Sequence, residues 1–507
     1  MTNRVGARSP RPFALSLSKG RSWFDRLTTN GLMLERIGIK LQRNRSDLKY
    51  FFEPASVAVF GSLREVFGLG YGMVRNLLQF GYAGKIYPVS PYHSEVMGRK
   101  AYSSVEEIAD PIDAAIVITP PPTVPPIVEQ CARKGVKAVT IISENFAEAG
   151  GDGVKYQRQL VEIVRRTGIR IIGPNTVGLF NSANGFLTNP YIIVHKKIRK
   201  GGITYCSQTG YVGMAAQTWG DRIIPVNKVC DLGNKCDVDE ADLLNYLADD
   251  PETKVVSMHI EDIRDGRRFM EAARKVVARK PLLLFKPGRS QDGARAAASH
   301  AGSLAGDEQV YDTAIRQVGA IRLGNWPEYW DMPRIFAYQP PPQGNRIAIL
   351  TLAGGVGVAA VDTAIASGLS IARFSPATAD KLKKIYPRLS NNPVDLGPIL
   401  SVSDNPFAVQ EDVIAAVLAD ANVDCAAISV YVGFEDLIAI IVEMFEHLKP
   451  LLAKPLALWI YGMQLPVLDE MYRQLEERGL PAYLDLESAV RALGIAARYS
   501  RTKSSGE

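Results

Sequence analysis

The feature that most constrains the fold of this chain is a repeated alternation between short apolar or β-branched runs and longer helical patterns. In the first third of the chain, strands are predicted at residues 57–60, 85–88, 114–118, 138–141 and 170–172. Helical patterns at 123–134 and 156–167 lie between them. This alternation predicts an α/β fold with a parallel sheet covered by helices on both faces. Right-handed crossovers would place the carboxyl ends of all strands at one edge, where ligands bind.

A second unit of the same kind begins near residue 201. Its predicted strand at 203–206 leads directly into the turn Ser207-Gln208-Thr209-Gly210, and further strands are predicted at 255–259 and 282–285. The linker at 338–344 contains three consecutive prolines, which favour a semi-rigid extended spacer.

A third unit opens as the second does. A predicted strand at 347–351 enters the turn Ala353-Gly354-Gly355-Val356-Gly357, and a helix continues through Ala366. The segments 203–216 and 347–360 therefore share an apolar strand, a small-residue turn and a helix start. This weak internal repeat predicts two similar α/β domains in tandem.

Charge and composition exclude several classes of partner. The whole chain has a formal net charge of +6. Residues 1–49 alone carry +8, so the rest of the chain carries a net charge of −2. Nucleic-acid binding by the folded body is therefore not indicated. The basic tail is compatible with a transit peptide, but we expect a misassigned upstream start, with Met33 as the true first residue. The apolar run 347–361 is short and rich in glycine, so no membrane span is expected.

The five cysteines are scattered and form no CxxC pair; they are Cys131, Cys206, Cys230, Cys236 and Cys425. This usage favours buried thiols in a reducing cytoplasm, and it supports neither a disulfide framework nor a metal site.

The two small-residue turns are candidate phosphate sites. Backbone N–H groups at a helix N-terminus, together with the positive end of the helix dipole, favour an anion. The candidate residues are Ser207, Gln208, Thr209, Gly210, Ala353, Gly354, Gly355, Val356 and Gly357. The alternative, that small residues merely make tight turns between strand and helix, is equally compatible with either turn alone.

His300 is the candidate catalytic residue. It lies in the small-residue segment 299–306, where an accessible imidazole could carry a phosphoryl group between the two helix N-termini. Glu261 follows the predicted strand 255–259 and could accept a hydrogen bond from one ring nitrogen, which would make the other nitrogen nucleophilic. From the neighbouring residues alone, His300 could instead be a solvent-exposed loop histidine, and Glu261 could be an acidic residue at a helix start.

The carboxyl edge of the first sheet outlines a nucleotide-like pocket. Its glycine loop is not a clean GxGxxG, which is weak evidence by itself. The candidate ligand-binding residues here are Gly61, Ser62, Lys85, Pro88, Val89, Ser90, Thr119 and Pro120. A purely structural α/β domain is the alternative.

The order and spacing of these motifs resemble the α subunit of NDP-forming acyl-CoA synthetases, relatives of succinyl-CoA synthetase. The resemblance covers about residues 50–500. The matching segments are GKIYPVSP (84–91), IIGPNTVG (171–178), SQTG (207–210), DLGNKCDVDEADLL (231–244), IED (260–262), KPGRSQDGARAAASHAGSLAG (286–306), LAGGVGVAAVD (352–362) and NPVDLG (392–397).

The resemblance implies a domain plan. After a basic tail (1–45) it implies a Rossmann-like domain that binds coenzyme A (46–180), with Asn175 added to its site residues. Two flavodoxin-like domains of the succinyl-CoA synthetase type would follow, at 196–330 and 345–500. His300 would be the phosphorylated histidine, Glu261 its stabilising partner, and the two turns would begin the helices that cradle phosphate.

The resemblance also implies a reaction and a partner. Such enzymes convert a carboxylic acid, CoA and ATP to acyl-CoA, ADP and phosphate through an acyl phosphate. Only about fifty residues follow Pro455, too few for an ATP-grasp domain. We therefore expect a hetero-oligomer with an ATP-grasp β subunit that binds Mg-ATP or Mg-ADP, and a His300 loop that moves between two sites on flanking Gly293 and Gly302.

Three positions depart from the family pattern. Ala301 replaces the usual threonine after the histidine, Ser143-Glu144-Asn145-Phe146 replaces Ser-Ala-Gly-Phe, and Ser90 replaces an asparagine. The first removes a hydroxyl near the phosphoryl site, and the others alter the CoA pocket. Two alternatives stay open: a non-catalytic CoA or acyl-CoA sensor, and a dinucleotide-dependent dehydrogenase, against which the imperfect glycine motif counts.

Overall fold

The computed structural model describes residues 48–65, 67–190, 199–211, 224–301, 307–451 and 453–504, without the side chains of 297–301 and 504. These residues build three large sheets that follow one another along the chain. The predicted tail and Met33 lie outside the described residues.

The first sheet has five parallel strands in the order β2-β1-β5-β6-β7. They are β1 (Ser56–Gly61), β2 (Lys85–Val89), β5 (Ala114–Ile118), β6 (Ala138–Ile141) and β7 (Arg170–Ile172), and the small pair β3 (Glu95–Val96) and β4 (Arg99–Lys100) follows β2. The helices are α1 (Lys49–Phe52), α2 (Leu69–Gln79), α3 (Val124–Lys134) and α4 (Gly151–Thr167). The predicted strands and their parallel order are confirmed, and α4 begins five residues before the predicted helix.

Glycine allows α2 to begin directly against the end of β1. A Cβ atom on Gly61 would lie 2.6 Å from Cγ2 of Ile118, and one on Gly70 would lie 3.0 Å from the carbonyl carbon of Gly61. The first distance is shorter than real Cβ contacts and the second is tighter than most of them, so glycine at both positions favours the close packing of β1 against β5 and α2.

The second sheet has the order β14-β13-β12-β10-β11-β8-β9. Its strands are β8 (Leu179–Asn181), β9 (Phe186–Leu187), β10 (Arg199–Ser207), β11 (Pro225–Asp231), β12 (Val255–His259), β13 (Leu282–Phe285) and β14 (Ile321–Leu323). The helices are α5 (Glu240–Asp249), α6 (Gly266–Val277), α7 (Gln291–Ala301), α8 (Glu308–Gln317), α9 (Trp326–Asp331) and α10 (Arg334–Tyr338).

One edge of this sheet departs from the predicted parallel arrangement. β8 runs antiparallel to β11, and β9 runs antiparallel to β8. The hairpin thus belongs to the second sheet, and the predicted domain boundary at residue 180 passes through it. The hairpin strands, Leu-Phe-Asn and Phe-Leu, lack the β-branched residues that indicate the equally short β7 in the sequence, and they show no period of two.

The third sheet has the order β16-β15-β18-β19-β20, with β17 also paired to β15. Its strands are β15 (Arg346–Thr351), β16 (Ser370–Ile371), β17 (Val394–Asp395), β18 (Cys425–Tyr431), β19 (Leu456–Tyr461) and β20 (Ala482–Tyr483). The helices are α11 (Gly354–Ala366), α12 (Pro376–Ile385), α13 (Ile399–Val402), α14 (Pro406–Ala419), α15 (Asp436–Leu448), α16 (Leu465–Glu477) and α17 (Leu486–Ser504). β15 is followed by a short turn and then by α11, as predicted for the start of this unit.

Continuous apolar cores join neighbouring units. Phe52 of the first unit stacks on Tyr246 of the second, with ring centroids 5.1 Å apart. Tyr205 and Trp330 of the second unit share a core with Tyr483 of the third. The carboxyl edges of the sheets are thereby held in fixed relation through buried side chains. No helix within the described ranges combines the length and apolar character needed to cross a bilayer.

Candidate active site

His300 lies in the last turn of α7, at the carboxyl side of β13. The sequence predicted a loop here, but the backbone of 291–301 is helical and Gly293 lies in the first turn of that helix. The run of alanines from 296 to 298 favours helix strongly enough to include the histidine. The side chains of His300 and Ala301 and all of residues 302–306, including Gly302, lie outside the described residues.

Glu261 follows β12, as predicted, and its side chain is partly exposed. Its backbone N–H donates to Oε1 of Gln208 at 2.6 Å, and the N–H of Asp262 donates to the same oxygen at 3.2 Å. Nε2 of Gln208 donates to Oδ1 of Asp262 at 2.7 Å. The side chain predicted to bind phosphate therefore holds the segment that carries Glu261.

A buried lysine also binds the segment that carries Glu261. Nζ of Lys235, whose side chain is 2% exposed, donates to Oδ1 of Asp262 at 2.7 Å, to the Asp262 carbonyl at 2.9 Å and to Oε2 of Glu240 at 3.1 Å. Burial opposes ionisation of Asp262, but the adjacent Lys235 ammonium outweighs it and lowers the pKa of that carboxyl. Burial raises the pKa of Glu240.

Asp231, at the end of β11, is a second buried carboxyl group next to Glu261. It accepts the N–H of Val177 at 2.8 Å and the N–H of Gly233 at 3.2 Å. Burial raises the pKa of Asp231 to about 6, and the negative charge of Glu261 adds to this rise. The pKa values of Asp231 and Asp262 are thus shifted in opposite directions.

The turn after β10 is anchored by its own side chains. Oγ of Ser207 accepts the N–H of Thr209 at 2.9 Å and lies 3.2 Å from Nδ1 of His259. Gly210 packs against the first unit, since a Cβ there would lie 2.8 Å from Cγ1 of Val177. These contacts hold the turn at residues 207–210, and residues 212–223 lie outside the described part.

The matching turn of the third unit leaves its helix N-terminus uncapped. Ala353 is the N-cap residue and offers no side-chain acceptor, while Gly354 and Gly355 are exposed. The first N–H groups of a helix have no partner within it, and they attract anions. The hydrogen bonds of this turn go to Thr351 and Ser429 of its own unit. That both turns hold one phosphate stays a prediction.

The carboxyl edge of the first sheet gathers most of the predicted CoA residues. Gly61-Ser62, Val89-Ser90, Thr119-Pro120 and Asn175 all follow or end strands at this edge. Oγ of Ser143 joins the segment after β6 to the loop after β5, because it accepts the N–H of Thr119 at 3.0 Å and donates to the Thr119 carbonyl.

Lys85 does not belong to this edge, and its prediction is wrong. It begins β2, beside Ser56 at the amino end of the sheet, and its Nζ bonds Oδ2 of Asp110 at 2.7 Å. The sequence prediction assigns both Lys85 and Pro88 to the pocket at the carboxyl edge. A five-residue strand, however, separates its first residue from that edge by well over 10 Å.

The departure at residue 145 has a structural explanation. Asn145 has a φ of 67°. Glycine reaches this left-handed region freely, and asparagine is among the side-chain-bearing residues that tolerate it best. The N–H of Asn145 donates to Oε1 of Glu148 at 2.7 Å, which holds the turn. The substitution therefore preserves the backbone path. Ser90, the other departure at this edge, bonds Nδ1 of His93 at 3.3 Å.

Hydrogen bonds connect the carboxyl edge of the first sheet with the carboxyl edge of the second. Asn175 donates from Nδ2 to Oδ1 of Asn234 at 3.3 Å, and the N–H of Asn234 donates to the Pro174 carbonyl at 2.8 Å. Asn234 precedes Lys235, which holds the Glu261 segment. The predicted CoA edge and the predicted phosphoryl site are thus neighbours in one network.

Sequence reasoning missed three charged residues in and around this network: Lys235 and Asp231, which bond within it, and Lys286, which interacts electrostatically with Glu261. Burial lowers the pKa of Lys286, at the end of β13, although nearby carboxylates including Glu261 oppose this. The only signal in the sequence was the position of these residues in or next to the motifs 231–244 and 286–306. Within the described residues, no group of His, Cys, Asp and Glu side chains is arranged to hold a metal ion.

Comparisons with known proteins identify the first two units of this chain. A CoA binding domain matches residues 55–182, and a succinyl-CoA ligase like flavodoxin domain matches residues 200–336. The chain is 42% identical over 353 residues to acetate–CoA ligase [ADP-forming] II subunit alpha of Pyrococcus furiosus, covering 69% of this chain and 76% of that protein. It is 36% identical over 479 residues to the ADP-forming ligase I subunit alpha of the same organism, covering 90% and 98%.

Solved structures give the same result. The dinucleotide forming acetyl-coenzyme A synthetase 1 of Ca. Korarchaeum cryptofilum, in complex with phosphate and ADP, matches with a TM-score of 0.81 and 29% identity over 90% of this chain and 97% of that chain. PH0766 of Pyrococcus horikoshii OT3 matches with a TM-score of 0.77 and 31% identity over 90% and 99%. These similarities confirm the predicted fold and resemblance: the chain belongs to the family of ADP-forming acyl-CoA synthetases.

Proposed function

We propose that this chain is the CoA-binding, phosphohistidine-bearing subunit of a ligase that converts a carboxylic acid, CoA and ATP to acyl-CoA, ADP and phosphate. The bridge from Asn175 through Asn234 and Lys235 to the Glu261 segment carries this proposal. It brings the edge that would hold the CoA thiol next to the residues that would hold a phosphoryl group. Relatives named as ADP-forming ligases support turnover, and a purely regulatory role is not favoured.

The first unit fits a phosphate-bearing ligand such as CoA. Helix α2 begins at the carboxyl edge after Gly68, which provides no side-chain cap for the first N–H groups. Close packing of Gly61 against Gly70 brings these donors next to Ser62. The N–H of Tyr71 donates to the Ser62 carbonyl at 3.0 Å, and the N–H groups of Leu69 and Gly70 before it would be the donors that the diphosphate approaches.

In the proposed reaction His300 acts as the carrier. One ring nitrogen donates to the Glu261 carboxylate, and the other nitrogen bears the phosphoryl group. The acid oxygen attacks the phosphorus, the P–N bond breaks, and an acyl phosphate forms while the imidazole is released. The CoA thiolate then attacks the acyl carbon, the C–O bond to phosphate breaks, and acyl-CoA and phosphate leave.

The source of the phosphoryl group is a second part of the proposal. We propose that an ATP-grasp β subunit binds Mg-ATP and transfers the γ-phosphoryl group to His300. Two relatives are named as alpha subunits, which supports assembly with a different subunit. We also propose a cytoplasmic location, because all five cysteines are free and buried thiols.

A half-reaction tests the proposal with this chain alone. The full chain is incubated with labelled phosphate and a panel of acetyl-, butyryl- and benzoyl-CoA. We expect acid-labile, base-stable label on the wild type, since acyl-CoA and phosphate give acyl phosphate, which then phosphorylates His300.

The control is another histidine beside a glutamate. His447 is exposed and lies 3.2 Å from Glu411, far along the chain from the candidate site. His447→Ala should be labelled like the wild type, whereas His300→Ala should carry no label. Label that persists in His300→Ala, or an unlabelled wild type with every acyl-CoA, would refute the proposed carrier role.

A further inference from the structure

Within the described residues, the side-chain amide of Gln208 makes three hydrogen bonds, and all of them go to Glu261 and Asp262, which follow β12 after Ile260. Oε1 accepts the N–H groups of Glu261 and Asp262, and Nε2 donates to Oδ1 of Asp262. The acceptor distance to Glu261, 2.6 Å, is short for a bond from a backbone N–H group. The amide therefore ties the turn after β10 to the residue proposed to hold the histidine ring.

Lys235 holds the same two-residue segment through Asp262. Its Nζ bonds both the carbonyl and Oδ1 of Asp262, and Oδ1 is shared with Gln208. The backbone of Asp262 is thus fixed through its N–H by Gln208 and through its carbonyl by Lys235. Since Glu261 is the preceding residue, its backbone position is fixed as well, while its own carboxylate stays partly exposed.

We propose that Gln208 is a positioning residue for Glu261, and through it for the ring of His300; this rests on the function proposed above. The turn that would receive phosphate and the carboxylate that would orient the histidine then move as one unit. The competing interpretation is that the Gln208 amide binds phosphate directly. The two differ in kinetics: loss of a phosphate ligand raises the KM for phosphate, whereas loss of positioning lowers the maximal rate of His300 phosphorylation.

The test uses the full chain, labelled inorganic phosphate and the acyl-CoA that labels the wild type. Gln208→Met keeps the length of the side chain and removes all three hydrogen bonds, and Gln208→Asn keeps the amide but withdraws it by one methylene. We expect the maximal labelling rate to fall by about 10- to 100-fold in Gln208→Met, because a displacement of a catalytic group by about 1 Å can lower a rate by about 100-fold. The KM for phosphate should not change.

Gln339 provides a matched control. It is also a buried glutamine that holds backbone groups, donating to the Gly479 carbonyl at 2.6 Å and accepting from Leu456. Gln339→Met should lower the unfolding temperature and leave the labelling rate unchanged. A matching loss of labelling rate in Gln339→Met would show that general destabilisation explains the Gln208 effect, and would overturn the inference.

A double-mutant cycle separates positioning from an independent role. If Gln208 acts through Glu261, then Gln208→Met should have little further effect on the labelling rate in the Glu261→Gln background. An equal fold-loss in both backgrounds, or a rise in KM with an unchanged maximal rate, would overturn the inference. If Gln208→Met does not fold, Gln208→Asn is measured in both backgrounds and decides by the same criteria. An unlabelled wild type would refute the proposed function itself, so the two failures are distinguishable.

Discussion

Replacing Lys235 by methionine should destabilise the second unit in a way that depends on pH. The ammonium is almost fully buried and is the shared partner of Glu240 and Asp262, whose side chains are 3% and 14% exposed. Methionine fills similar volume but leaves two buried carboxyl groups facing each other. Removing one partner of such a buried pair costs about 3 kcal/mol or more. With an m value of about 3 kcal/mol per M for this unit, the urea midpoint should fall by about 1 M at pH 7.5.

The pH dependence follows from the signs of the pKa shifts. In the wild type the pKa of Asp262 is lowered, so its contribution to stability is present above its unfolded pKa and is lost as pH falls through the folded value. Without the ammonium, burial raises the pKa of both carboxyl groups, so the variant loses stability as pH rises. The difference in free energy of unfolding between wild type and variant should therefore shrink between pH 7.5 and pH 5.

Tryptophan fluorescence provides the assay, because Trp326 and Trp330 lie in the second unit close to the site. Lys200→Met is the control: its pair with Glu252 is 3.6 Å long and more than half exposed, and such a pair contributes at most about 1 kcal/mol. A Lys235→Met midpoint equal to that of the wild type at pH 7.5, or a difference that grows towards pH 5, would refute the reasoning.

Further predictions concern the CoA edge and Asp231. Gly61→Ala should weaken CoA binding by isothermal titration, because its Cβ would lie 2.6 Å from Cγ2 of Ile118 in β5 and 3.2 Å from Cα of Gly70 in α2, which would displace the loops at this edge. Gly98→Ala is the control for backbone strain alone: its φ of 73° disfavours alanine, but its Cβ would meet nothing within 4 Å, and equal CoA affinity in the two variants would contradict this prediction. Because burial raises the pKa of Asp231 to about 6, the wild type should lose stability as pH rises from about 4 to about 6. Asp231→Asn should remove that loss in urea unfolding at the two pH values, and an unchanged pH dependence would show that Asp231 does not cause it.

The sequence predicted the first sheet well because its strands are short, continuous apolar runs between turn residues. Lys85 is the exception: it is the first residue of the predicted strand 85–88, so a parallel sheet places it at the amino edge, and the register with Ser56 agrees. The hairpin at 179–187 was missed because its strands lack β-branched residues and show no period of two.

The sequence predicted which residues lie at the site, but not the hydrogen bonds that hold them in place. Glu261 and the Ser207–Gly210 turn follow strands, and the parallel topology brings such residues to one edge. The bonds that fix them join positions far apart in sequence: Gln208 bonds Glu261, and Lys235 bonds Asp262. A polar residue next to a turn gives no sign of which distant backbone group it will bond, so sequence alone assigned the Gln208 amide to phosphate.

The central claim is that this chain carries a phosphoryl group on His300 and that Glu261 promotes its arrival. Peptide mass spectrometry at neutral to basic pH, after incubation with acyl-CoA and phosphate, tests it most directly. We predict that one phosphoryl group maps to His300 and that its rate of appearance falls strongly in Glu261→Gln. A phosphoryl group on any other residue, or an unchanged rate in Glu261→Gln, would contradict the account.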